Sequence, residues 1–325
     1  MNFRKSTHIK AFFIFCSAAL ICTNLSGQHL SVSVSKEGVQ IREDGKDVLF
    51  YQTRSKSMAG KYARAGYIHP LYGLNGEVLT EDFPEDHPYH HGIYWAWHQI
   101  IWGNKKIADG WISENISWDP VLKRIEESKN SISVRLSMIW HVQRKDKKPL
   151  SVVREDTRVT VYKSTGDYRV LDFDIRLFAL VDHLKIGGSD DAKGYGGFCL
   201  RLKLPEDISF FSADSTVIPQ ETAVSAGPWM DFNGSFEGKA FPKSGVAVFC
   251  PPDEHLRSQQ WILRREKSMQ NVVYPGRKPV ILTSKGLRLK YRIVIHNDKI
   301  GNRDLKKLYQ QFVDHSEQGS SAAIK

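Results

Sequence analysis

Few of the residue patterns that mark familiar chemistries are present. The 325 residues include only four cysteines, and no two form a Cys-x-x-Cys pair, which excludes a zinc ribbon and a thioredoxin-like redox site. His-Glu-x-x-His, Gly-x-Ser-x-Gly and glycine-rich nucleotide loops are also missing, so zincin, serine-hydrolase and nucleotide-binding readings have no support. Beyond residue 27 no run is long and apolar enough to span a bilayer, and no Ser/Pro/Gly-rich linker, low-complexity tract or internal repeat divides the chain. The net charge is +10, but the basic residues are spread along the chain without a basic arm. A solvated cationic surface is therefore expected in place of nucleic-acid binding, and an acidic glycan or anionic envelope surface stays compatible.

What is present begins with an export leader. Arg4, Lys5 and Lys10 form a basic region, Ala11 to Leu25 is an apolar run broken only by Ser, Thr and Asn, and Ser26-Gly27 supplies small residues before Gln28. Residues 1–27 are expected to be a signal peptide, with a periplasmic or secreted mature chain, no transmembrane anchor, and one domain over 28–315. Residues 316–325 are polar and are expected to form a disordered tail. Cys199 and Cys250 lie in strand-like runs beyond the leader; they read as buried free thiols, with a single bridge as the alternative.

Period-two alternation dominates. Ile132, Val134, Leu136, Met138 and Trp140 share one face, as do Leu171, Phe173, Ile175, Leu177 and Ala179, and Leu287, Leu289, Tyr291, Ile293 and Ile295. Half-buried strands of this kind build antiparallel sheets, and the expected fold is an all-β, large antiparallel β-sandwich. Glu43-Asp44-Gly45-Lys46 and Ser164-Thr165-Gly166-Asp167 supply turns. Asp172 and Asp174 share a face with Arg176 and read as an ion-paired outer surface. Leu305, Leu308, Tyr309, Phe312 and Val313 fall at helical spacing, predicting a short C-terminal helix that covers a sheet edge or open face.

The segment from Tyr67 to His98 holds five of the chain's 12 histidines: His69, His87, His90, His91 and His98. Pro70, Pro84 and Pro88 oppose regular structure there, placing the imidazoles on turns and strand ends from which they can converge. Imidazole titrates nearest neutrality, so such a cluster supplies a general acid, a general base or metal ligands. Tyr89, Tyr94, Trp95, Trp97, Trp102 and Trp111 interleave with it, as aromatic faces beside polar donors do in sugar sites, although Trp95 and Trp97 also alternate as core residues would. Asp86 is an orienting partner within reach. Elsewhere, Glu155 lies on a strand, His183 follows one, Tyr195 sits in Gly194-Tyr195-Gly196-Gly197, and His255 closes Pro251-Pro252-Asp253-Glu254-His255.

The runs His69-Pro-Leu-Tyr72, Asp86-His-Pro-Tyr-His-His-Gly92 and Trp95-Ala-Trp97 are similar to the bacterial DUF6807 family, whose members are often labelled "methane oxygenase PmoA". The likeness continues through Gly194-Tyr-Gly-Gly-Phe198, Gly227-Pro-Trp-Met-Asp-Phe232, Gly245-Val-Ala-Val-Phe249 and Tyr291-Arg-Ile-Val-Ile-His296. A typical member reads Asp-His-Pro-His-His-Arg-Gly, so Tyr89 and His91 here replace a His and an Arg. More distantly, Tyr67-Ile-His-Pro-Leu-Tyr-Gly73 and His90-His-Gly-Ile93 resemble segments of galactose mutarotase-like proteins. That resemblance implies a supersandwich binding sugars in an open cleft and moving protons between a His and a carboxylate.

The leading expectation is thus a protein that binds or modifies a small-molecule or oligosaccharide ligand, needs no cofactor, and, if an enzyme, is of epimerase, lyase or hydrolase type. His90 or His91 would be one acid/base partner, His183 or His255 the other, and Glu155 the carboxylate. His69, His87, Tyr94, Trp95, Trp97, His98 and Tyr195 would contact substrate. The alternative, suggested by the methane label, is a divalent transition metal held by His69, His87 and His90 in an oxygenase or hydrolase. A third reading is a non-catalytic envelope binding module.

Overall fold

The computed structural model describes residues 29–213, 215–252 and 259–321; residues 1–27, expected from composition to be a signal peptide, and His255 lie outside them. Among the described residues two large antiparallel sheets enclose the main core. The nine-stranded sheet runs, in spatial order, Leu30–Val34, Gly38–Glu43, Lys46–Gln52, Tyr67–Leu71, Ile93–Trp97, Gly196–Leu200, Gln270–Val273, Gln260–Ile262 and Val224–Ser225. The eight-stranded sheet runs Ile116–Glu127, Ser131–Arg144, Lys147–Tyr162, Tyr168–Ala179, Leu287–Asn297, Ser244–Phe249, Trp229–Gly234 and Ser209–Phe211. This is the all-β sandwich that the alternation predicts. The Glu43–Lys46 turn is a two-residue hairpin with Asp44 at φ 50° and Gly45 at φ 78°, the left-handed pair that suits the twist of the flanking strands.

The three alternating rows read from the sequence all point into the sandwich. Phe173 and Tyr291 from one sheet meet Phe198 from the other at 5.1 and 4.3 Å between ring centres, and Trp95 stacks parallel to Phe198. Each buried aromatic of this kind contributes roughly 2 kcal/mol by leaving water. Trp95 and Trp97 therefore belong to the core, each about 1 % exposed, and neither presents a face to a sugar. Cys199 and Cys250 are both buried thiols.

The helix Asn302–Ser321 lays Leu305, Leu308 and Phe312 on Trp229, Ala247, Phe249 and Val294, covering part of the outer face of the eight-stranded sheet. It runs past Ser316, where the polar composition predicts its end. Among the described residues no helix is long and apolar enough to cross a membrane.

Glu155 lies between the sheets, completely buried, so it is not the carboxylate of an open site. Its Oε2 accepts from Trp140 Nε1 at 3.0 Å and its Oε1 from Thr157 Oγ1 at 2.9 Å. Burial raises its pKa to about 7, against the opposing Arg64 charge and these two hydrogen bonds. An unfolded glutamate loses its proton near 4.5 whereas the folded one keeps it to about 7, so its contribution to stability is full below 4.5 and is lost as pH rises through 7. That loss is roughly 3 kcal/mol. In urea titrations, Glu155→Gln should gain about this much on the parent protein between pH 4.5 and 7.5. A pH-independent difference would show that Glu155 is ionised in the fold.

Candidate functional site

The pleat of Ile93–Trp97 divides the histidine segment between two environments. Ile93, Trp95 and Trp97 face the sandwich core, whereas Tyr94 and Ala96 join Tyr67, Trp111, Cys199 and Met269 in a smaller apolar cluster on the other side of the nine-stranded sheet. Register places Tyr94 opposite Cys199 and Ala96 opposite Gly197. The loop from Thr80 to Gly92 folds back over this cluster, tied by the Phe83 amide to the His90 carbonyl and the Glu81 amide to the Arg201 carbonyl. Gly92 makes the close passage possible, because a Cβ there would stand 2.1 Å from the Ile68 carbonyl oxygen and 3.0 Å from His69 Cβ.

His91 is wholly buried at the centre of this arrangement. Its ring lies over Tyr67 at 4.5 Å and meets the edges of Phe83 and Tyr94 at 4.8 and 5.6 Å. Its Nδ1 donates to Asp82 Oδ1 at 2.8 Å, while Nε2 is buried with no partner, as is the Tyr94 hydroxyl. Asp82 also accepts from Tyr67 Oη at 3.1 Å and Lys56 Nζ at 2.7 Å. Against the desolvation that raises it, the His91 and Lys56 contacts hold Asp82 below the usual carboxylate range. Burial depresses His91, against the opposing pull of Asp82, so its ring is neutral at pH 7. With the proton on Nδ1, Nε2 is left as a lone-pair acceptor.

The other imidazoles surround this pair. His69 Nδ1 lies 3.0 Å from Thr80 Oγ1, which also accepts the Leu71 amide, and burial lowers its pKa to about 4. His90 stacks on His87 at 4.7 Å and takes a 3.3 Å contact from Arg201 Nη1 on its Nδ1. Burial first, and then the neighbouring His87 and Arg201 charges, push His90 down to about 2. Arg201, about 2 % exposed, also binds Glu81 and Asp86 at 2.7 Å each, and His87 donates to Asp86 at 2.7 Å. His98 donates to Asp109 at 2.9 Å and stacks on Trp111 at 5.1 Å, with Tyr195 a further 5.3 Å from Trp111. Beside Arg201 and Asp86 opens a polar cleft of about 980 Å³ that also takes in Arg265 and Lys267.

His69, His87, His90, His91, Tyr94, His98 and Tyr195 are therefore brought to one side of one sheet. Others are not. Trp95 and Trp97 point through the sheet into the core, and Glu155 lies in that core. His183 is exposed at a turn, with φ 57°, beyond the Trp102 end of the Leu184–Gly187 strand and out of contact with the cluster. The triad of His69, His87 and His90 does not converge on a metal: two of its rings lie parallel within 2°, and His69 Nδ1, His87 Nδ1 and His90 Nδ1 are engaged by Thr80, Asp86 and Arg201. Among the described residues no three His, Cys, Asp or Glu side chains are arranged to hold a metal ion. The glycines of Gly194–Gly197 serve close backbone packing, since a Cβ on Gly188 would meet Gly194 O at 2.2 Å and one on Gly197 would meet Val272 O at 2.6 Å.

Sequence reasoning missed Asp82, Lys56, Asp109 and Arg201. Asp82 lay inside the histidine segment itself. Arg201 was reachable by alternation, since Gly197, Cys199 and Arg201 fall on the Tyr94 side.

These features define a class: an antiparallel β-sandwich with a histidine-rich polar site on the outer face of one sheet. The chain belongs to DUF6807, a family of unknown function whose model matches residues 38–310. No curated protein matches it.

Gly92→Ala should force Tyr67–Leu71 and Ile93–Trp97 apart and cost about 2 kcal/mol or more, as overpacking does. Thermal denaturation would show this as a drop in Tm of several degrees; an unchanged Tm would mean that the loop does not lie this tightly on the sheet.

Proposed function

We propose that the chain is an exported protein that binds or modifies a carbohydrate on the outer face of the nine-stranded sheet, using His91 and Asp82 as its histidine–carboxylate pair. The carrying observation is His91 itself: Nδ1 is fixed by an ionised Asp82, and Nε2 is buried without a partner. Leaving such an acceptor unsatisfied costs on the order of 1–3 kcal/mol, a penalty that a sugar hydroxyl donating to Nε2 removes once the Thr80–Gly92 loop that covers it opens. In a reaction the same nitrogen takes the hydroxyl proton while Asp82 stabilises the resulting imidazolium. His69, neutral at pH 7, supplies the second imidazole. His98 and Tyr195, half-buried on either side of the buried Trp111, offer the flat faces against which a pyranose ring packs. Export, and with it a periplasmic or secreted location, rests on the basic and apolar composition of residues 1–27.

The test is a glycan array followed by calorimetric titration of the best ligand. Binding should weaken at least tenfold in His91→Ala and in His69→Ala, the second being a half-buried position that spares the core. Affinity should hold from pH 8 to about 5 and fall as His69 protonates toward 4. Chromatography of the incubated sugar separates conversion from binding alone. The proposal fails if no saccharide binds, or if both variants bind as the parent does.

A further inference from the structure

The outer face of the eight-stranded sheet, on the opposite side of the sandwich from the histidines, carries an ordered excess of positive charge. Cross-strand register forms one row from Arg135, Arg158, Asp174 and Lys290, and a second from Asp156, Arg176 and Arg288. Arg154 and Arg292 flank these rows, with Asp172 paired to Arg292, and Arg124 and Glu126 of the neighbouring strand lie beside Arg135, giving eight cations against four carboxylates. Asp174 is shared by three guanidinium groups, bidentate with Arg288 at 2.7 and 2.8 Å and within 3.7 and 3.6 Å of Arg158 and Arg176. Three cross-strand pairs are like-charged, Arg124 opposite Arg135, Arg135 opposite Arg158 and Arg176 opposite Arg288. Such pairs on a solvent face work against the fold, so stability alone does not account for them.

Two hollows of about 600 and 210 Å³ lie along these rows and share Arg158, Asp174 and Arg288, forming a continuous groove that ends against Phe312 of the helix. Arg135, Arg154, Arg158 and Arg176 are each more than 40 % exposed; each holds one carboxylate, Glu126, Asp156, Asp174 and Asp174 in turn, and the remaining edge of each guanidinium faces solvent.

We infer that this groove binds a linear anionic polysaccharide, one bearing a carboxylate or sulfate on successive sugars. A guanidinium fork matches either group with two parallel hydrogen bonds, and the sheet fixes the forks on a grid of roughly 5 by 7 Å, the spacings between strands and between alternate residues. Nucleic acid fits less well. Single-strand binders use open aromatic faces for base stacking, whereas Phe178 is capped by Arg154 at 4.3 Å and Phe312 by Arg292 at 5.1 Å. The groove does not depend on the histidine site, and the two stand or fall separately.

The probe is a size-fractionated polygalacturonate, titrated into the full protein by thermophoresis at 50 and 300 mM salt, beside neutral dextran and a single-stranded oligonucleotide of equal charge. The parent protein should bind the polyuronate and not dextran, with affinity falling at least tenfold at the higher salt. Arg135→Gln/Arg158→Gln/Arg176→Gln, which keeps the bidentate Arg288–Asp174 pair, should lose a further tenfold or more. Arg135→Gln alone, which leaves the partners of Asp174 in place, should show a smaller loss, and His91→Ala should bind as the parent does. The inference is overturned if polygalacturonate does not bind at 50 mM salt, if the triple variant binds unchanged, if His91→Ala abolishes binding, or if the oligonucleotide binds more tightly.

Discussion

The structure depends on a single geometric constraint, the two-residue period of the pleat in the nine-stranded sheet. Along Ile93–Trp97 it sends Trp95 and Trp97 into the sandwich and turns Tyr94 outward beneath the histidines. The same five residues thus anchor the core and floor the site. A rigid sheet underneath lets a loop as irregular as Thr80–Gly92 hold its side chains in fixed positions, because their supports come from strands on either side.

Charge is distributed according to burial. Where an ionised group leaves water it is surrounded by partners: Asp82 by His91, Tyr67 and Lys56, and Arg201 by Glu81, Asp86 and His90. Arg64 donates to the Gly110 and Trp95 carbonyls at 3.0 and 2.5 Å and lies over the rings of Tyr94 and Trp118. Glu155, with two neutral donors, holds its proton instead. In the histidine segment burial keeps His69, His90 and His91 uncharged, whereas, against the same desolvation, Asp231 raises the pKa of the buried His296. A site lined by neutral imidazoles beside ionised carboxylates favours hydroxyl-rich ligands over anions. The exposed arginine grid on the other sheet favours the reverse.

Alternation made the architecture legible: the three strand rows, the Glu43–Lys46 turn, the C-terminal helix and the ion-paired face around Asp172 and Asp174 all follow from local pattern. The density of histidines marked the candidate site for the same reason, since its members are close in sequence. What stayed hidden was set by tertiary geometry. Glu155 and Asp156 are equivalent in sequence until the sandwich assigns one to its core. Trp95 and Trp97 carry the same aromatic signal whether they line a sugar or a core, and only the facing sheet decides. Asp82 was passed over because nothing local separates it from Glu81, Glu85 and Asp86; the folding of the loop onto Tyr67 and Lys56 selects it. His183 was attractive as a strand-end histidine, but that strand belongs to a small separate sheet with Val280–Leu282 and Gln99–Trp102.

The tautomer of His91 decides whether Nε2 is an acceptor, and long-range nitrogen–proton NMR of the ring measures it most directly. With Asp82 accepting a hydrogen bond from Nδ1–H, the spectrum at pH 7 should show Nδ1 protonated and Nε2 bare. The opposite tautomer, or an imidazolium at pH 7, would contradict the claim that this site offers a buried acceptor to its ligand.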